Sequence, residues 1–174
     1  MLNILRGASP KIRTVQALHG SLVAAARQPA FFREFGVADT IDGRFDMLAL
    51  HGWLVLARLR AAGQGEVAQA LSDAIFVAFD EALRDLGNGD MGMGPRMKKL
   101  GTAFNGRLQA YEAAADDEAA LGDAIHRNVF RGASGTERQA STLARYAIAA
   151  RTRLESCDLL SGSPDFGPVP STIG

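Results

Sequence analysis

From Met47 to Ala57 the chain is apolar or glycine on every side of a helix, with His51 the one interruption. A helix without a polar face must be surrounded by others. The stretch Asp39 to Arg60, DTIDGRFDMLALHGWLVLARLR, is therefore predicted to be a central helix, buried in the middle of the fold. Asp39 is its expected cap, with Asp42 three residues on, and Arg58 and Arg60 suit its negative C-terminal end. A membrane span requires about 20 apolar residues. Here Arg44 and Asp46 close the run on one side and Arg58 on the other, so it reads as a core helix.

The flanking pattern is helical throughout. Val15, Leu18, Leu22, Ala25 and Ala26 fall at helical spacing between Lys11 and Gln28, and Pro29 stops that helix. The following AFFREFGV carries three phenylalanines, expected to pack on the central helix. A helix from Glu66 to Leu86 carries Val67, Leu71, Ile75, Phe79, Ala82 and Leu86, with Gly87 as its C-cap. After the glycine-rich loop ending at Pro95, Met97, Leu100, Phe104, Leu108 and Tyr111 form an apolar stripe, while Arg96, Lys98, Lys99 and Arg107 charge the other sides. A helix from about Glu118 to Phe130 follows. The capping-box pattern Ser134 to Glu137 opens a last helix, with Leu143, Ala147, Ile148 and Leu154 inward, ending near Leu159. No stretch alternates like a strand and no repeat is present. The predicted class is all-α, a single-domain bundle of about six helices spanning 11–159. Residues 1–10 are expected to be flexible and 160–174 to form an irregular tail, disordered or laid across the surface.

At 174 residues the chain can bury a substantial core as one domain. Lys plus Arg and Asp plus Glu are 19 each, so no global imbalance advertises nucleic acid or an anionic membrane. Local patches change that picture. Residues 1–33 hold Arg6, Lys11, Arg13, Arg27 and Arg33 and no acid, which imitates a mitochondrial presequence, but the helical spacing from Thr14 onward assigns most of this segment to the folded domain. The lone Cys157 excludes an internal disulfide framework.

Most candidate chemistry lacks its context. Gly87, Gly89 and Gly92 spell G-x-G-x-x-G, yet a helix leads in where a dinucleotide loop needs a strand. Backbone N–H groups opening the next helix, with Arg96, Lys98 and Lys99 nearby, suit an anion better. Asp123 and His126 on one helical face resemble half of a di-iron set, without a second pair. His51 reads first as a core histidine hydrogen-bonded to a neighbouring helix. No catalytic residue, cofactor or metal is expected.

Three segments carry a resemblance: RQPAFFREFGVADTIDGRFDMLALHGWLVLARLR (27–60), DEALRDLGNGDMGMGPRMKKLGTAFNGRLQAYEAA (80–114) and AIHRNVFRG (124–132). Together they resemble the ubiquinol-cytochrome c chaperone family, over roughly Thr14 to Arg153, and the chain looks like a bacterial member. The matching positions are Asp39, Asp42, Gly43, Arg44, Phe45, Asp46 and His51, then Asp85, Gly87, Asp90, Lys98, Lys99, Phe104, Gly106, Arg107 and Tyr111. The resemblance implies a non-enzymatic assembly factor that binds newly made cytochrome b before the cytochrome bc1 complex is complete. In the mitochondrial members a small partner chaperone and the ribosome also take part. A cytoplasmic protein with transient proximity to the inner membrane is expected.

Such a holder needs an accessible groove with adaptable apolar residues and a charged rim. The groove is expected between the central helix and the helix after Pro95. Its residues would be Arg44, Phe45, Asp46, His51, Asp90, Met91, Met93, Arg96, Met97, Lys98, Lys99, Phe104, Arg107 and Tyr111. Two other classes compete. An RNA- or ribosome-associated module would rest on the basic helix and the acid-free N-terminus, and a small-molecule or haem-binding bundle would use His51 or His126.

Overall fold

The structure, a computed structural model, describes residues 9–85, 93–160 and 163–170. Its helices are α1 (Pro10–Ala26), α2 (Pro29–Arg33), α3 (Ile41–Ala61), α4 (Gly65–Asp85), α5 (Met93–Ala113), α6 (Glu118–Val129) and α7 (Glu137–Glu155), with no strand among the described residues. Six are long, as the spacing predicts. The short α2 is an addition, formed where Pro29 at the first turn restarts a helix through the phenylalanine cluster.

Thirteen of the 21 residues of α3 are buried. This helix packs on α1, α4, α5, α6 and α7, so the element with no polar face is the one the others enclose. Gly52 lets α5 come close, since a Cβ there would meet the Phe104 ring at 3.3 Å. Phe31 from α2 packs edge-on against both His51 and Tyr146, each at 5.5 Å between ring centres, as expected for the cluster after Pro29.

Two caps differ from expectation. Thr40, one residue beyond Asp39, caps α3 by accepting from the Gly43 N–H at 3.2 Å. Asp39 instead accepts from Arg44 at 2.8 Å, because its side chain falls outside the first turn. At α7 the Ser134 box does not form. Thr136 is the N-cap without a side-chain cap bond, its hydroxyl donating to the Ala133 carbonyl. Arg58, expected to serve its own helix, caps a neighbour. Its guanidinium donates to the carbonyls of Leu154 (3.0 Å) and Glu155 (3.3 Å) at the end of α7.

Beyond α7, residues 163–170 have no regular structure but lie against the bundle, with Pro164 and Phe166 buried. Arg153 donates to Asp165 at 3.3 Å, and Gly167 approaches the Arg153 side chain so closely that a Cβ would lie 2.7 Å from Nε. The Phe166 ring meets His51 edge-on at 5.1 Å. This segment is thus irregular yet part of the core.

Candidate functional site

An open cleft of about 670 Å³ runs between the first turns of α3 and the first half of α5. Thr40, Ile41, Asp42 and Phe45 line it from α3, and Arg96, Lys99, Leu100, Ala103 and Arg107 from α5. Arg131, from the turn after α6, closes it. Ile41 is 54 % exposed, an unusual position for isoleucine. Phe45 forms the floor, packed on Phe79 and Phe104 with the Arg107 guanidinium 5.0 Å above its ring.

Beneath the cleft wall lies Asp46, fully buried. Arg107 donates to its Oδ1 through Nε at 2.8 Å, and Nη2 of the same residue lies 2.7 Å from that oxygen. Arg131 Nη2 stands 2.7 Å from Oδ2, an ion-pair contact out of line for a hydrogen bond. Burial pushes the Asp46 pKa above the ordinary carboxylate value, and the Arg107 and Arg131 guanidiniums oppose that rise. Arg131 adopts a left-handed backbone with φ of 59°, rare for a residue with a Cβ. The Gly132 N–H bond to the His126 carbonyl holds that turn, and the Arg131 side chain also donates to the Asn128 carbonyl.

The structure sorts the sequence-predicted residues into five groups. Phe45, Arg96, Lys99 and Arg107 line the cleft, with Asp46 under it. Met97 is half-buried and Lys98 exposed elsewhere on α5. Arg44 faces the opposite side of the α3 terminus, in a second hollow with Arg27, Arg33 and Asp39. His51, Phe104 and Tyr111 are corrections to the expected lining, since each is 0 % exposed and none reaches an accessible surface. They belong to faces of α3 and α5 that meet other helices, which spacing alone does not separate from the cleft-facing side. Asp90, Met91, the Met93 side chain and the glycine motif at Gly87, Gly89 and Gly92 lie outside the described residues.

His51 accounts for both of its ring nitrogens. Nδ1–H donates to the Met47 carbonyl at 2.8 Å, which leaves Nε2 to accept from the Tyr146 hydroxyl at 2.9 Å. Burial lowers its pKa to about 4. A neutral imidazole with both nitrogens committed offers no ligand to a haem or metal. His126 directs Nε2–H to the Ala133 carbonyl, and among the described residues no three His, Cys, Asp or Glu converge on a metal position. No helix among them is long and apolar enough to cross a membrane.

Sequence reasoning missed Arg131 and Ile41. The signal for Ile41 was present, an isoleucine opening a helix opposite to its buried face. Arg131 carries no sequence signal for its pairing, because the partner is 85 positions away.

These features define an all-α domain wrapped around a buried central helix, with a cation-rimmed cleft between that helix's N-terminal end and α5. The profile of the ubiquinol-cytochrome C chaperone family matches residues 33–164, and the chain belongs to that family. It is similar to the crystal structure of the Cbp3 homolog from Brucella abortus at 35% sequence identity and a TM-score of 0.81, covering 96% of this chain and 97% of that one. No curated protein matches the chain.

Proposed function

We propose that this protein is a non-enzymatic chaperone in assembly of the cytochrome bc1 complex, and that it holds newly made cytochrome b at the cleft between α3 and α5. Family membership over residues 33–164 supports the assembly role. The observation that carries the cleft assignment is the exposed Ile41 set among Arg96, Lys99, Arg107 and Arg131. A client made of apolar helices joined by polar loops is gripped best where exposed aliphatic surface adjoins fixed charge. A single protein offering only cations would select anions in general, and one offering only apolar surface would aggregate. By analogy with mitochondrial members, a small partner chaperone, the ribosome and transient proximity to the inner membrane belong to the same reading.

Deleting the gene and measuring haem-b absorbance and bc1 content tests the role. Loss of cytochrome b with other respiratory complexes intact is expected, and unchanged bc1 refutes it. A photocrosslinker at Lys99 is expected to capture nascent cytochrome b. Capture only from the acidic corner at Asp116 and Asp117 would refute the placement.

A further inference from the structure

We infer that the cleft receives an acidic amphipathic segment of the partner polypeptide, and that Arg131 takes up the partner's carboxylate while Arg107 retains Asp46. The inference rests on the chaperone reading for the kind of partner, and adds the chemistry by which it is gripped.

Charge supplies the first argument. The chain as a whole is neutral, yet Arg96, Lys99, Arg107 and Arg131 line the cleft against Asp42 alone, with Asp46 beneath. Two guanidiniums share the one buried carboxylate, so the cluster carries a surplus positive charge at the cleft wall. An incoming carboxylate restores the balance.

The two arginines are not equivalent. Arg107 is 15 % exposed, holds Oδ1 with two nitrogens and anchors a third to the Ala103 carbonyl at 3.1 Å. Arg131 is 50 % exposed and meets Oδ2 out of line. Its turn, rather than its pairing, holds it at the wall. A guanidinium has five donors in a planar fork suited to a carboxylate, and those Arg131 spends on Asn128 and Asp46 leave others for a ligand. Redirecting Arg131 leaves Asp46 paired, so exchange does not strand a buried charge.

The apolar part of the lining selects a polypeptide over a nucleic acid. Ile41, Leu100 and Ala103 are aliphatic, and the one lining ring, Phe45, is 4 % exposed and presents no face on which a base stacks.

The test uses the full chain and four labelled probes in a fluorescence-anisotropy titration. One is a synthetic amphipathic helix with leucines on one face bordered by glutamates, and two others replace those glutamates with glutamine or lysine. A single-stranded oligonucleotide is the fourth. The glutamate peptide is expected to bind at least about tenfold tighter than the glutamine peptide, with a preference that shrinks as salt rises. Arg131→Gln should remove most of that preference while leaving glutamine-peptide affinity unchanged, and Lys99→Glu should shift preference toward the lysine peptide. Equal binding of the glutamate and glutamine peptides overturns the inference, as does displacement of the peptide by the oligonucleotide. Should Arg131→Gln fail to fold, the charge swap at exposed Lys99 decides the matter. The chaperone reading fails separately: gene deletion that spares cytochrome b removes it, whereas loss of cytochrome b without peptide discrimination removes only the carboxylate grip.

Discussion

The Tyr146 hydroxyl donates to His51 Nε2 at 2.9 Å across the buried contact between α7 and α3, in a pocket closed by Phe31 and Phe166. The imidazole meets the rings of Phe31, Tyr146 and Phe166, the Tyr146 hydroxyl and the Met47 carbonyl, and burial among them disfavours an imidazolium.

That environment sets a pH dependence. The His51 pKa falls from 6.5 unfolded to about 4 folded, so between these values the unfolded state binds the proton and the native state does not. Stability is full above the unfolded value and is lost as pH falls toward the folded one. Between pH 7 and pH 5 the loss from this residue is about 2 kcal/mol by linkage. His19, whose pKa is also lowered by burial and by Arg27, adds in the same direction. His51→Gln keeps a donor for Met47 and an acceptor for Tyr146 without titrating. Urea unfolding of the variant should therefore show a flatter pH profile than the parent, and an unchanged slope would refute the assignment.

Phe166 covers the same pocket from the irregular segment after α7 and is 7 % exposed. Phe166→Ala is expected to cost about 3 kcal/mol in chemical unfolding, in the range for deleting a buried aromatic ring. Water then reaches His51, and its pKa, followed by NMR of the ring protons, should rise toward 6.5. A stability change under about 0.5 kcal/mol, the range of an ordinary surface substitution, would show that the segment merely rests on the surface.

Gly43 and Gly106 should respond in opposite ways to alanine. At Gly43 a Cβ would lie 1.9 Å from the Ala38 carbonyl oxygen, so the start of α3 must shift away from the preceding loop. The expected loss is about 2 kcal/mol or more by analogy with overpacked cores. A Cβ on Gly106, inside α5, meets nothing within 4 Å. There alanine should gain up to about 1 kcal/mol from helix propensity. Thermal unfolding of the two variants side by side checks both signs.

Removing a partner from the Asp46 cluster should cost unequal amounts. Arg107→Met takes away the two-nitrogen grip on a fully buried carboxylate, with an expected loss of about 3 kcal/mol. Arg131→Gln removes a half-exposed, out-of-line ion pair and relieves no backbone strain, so about 1 kcal/mol or less is expected after solvent screening. Urea midpoints measure both. Equal losses would mean that Arg131 is as firmly committed to Asp46 as Arg107 is.

The chain's periodicity determined the helical class and, with Met47 to Ala57, which helix lies in the middle, because a helix apolar on all sides but closed by charges too soon to span a bilayer is stable only when other helices enclose it. It also put Arg96, Lys98, Lys99 and Arg107 on the sides of α5 away from its apolar stripe. Tertiary structure decided the rest. Whether His51, Phe104 and Tyr111 line a groove or fill the core depends on which neighbour each face meets, and that is set by packing between elements far apart in sequence. Thr40 displaced Asp39 as the cap because one residue of helix phase decides which side chain reaches the first N–H groups. Arg131 reached Asp46 through a left-handed turn that no periodic pattern encodes. Phe166 found the His51 pocket because an aperiodic segment can still bury a ring wherever the folded body leaves room for one.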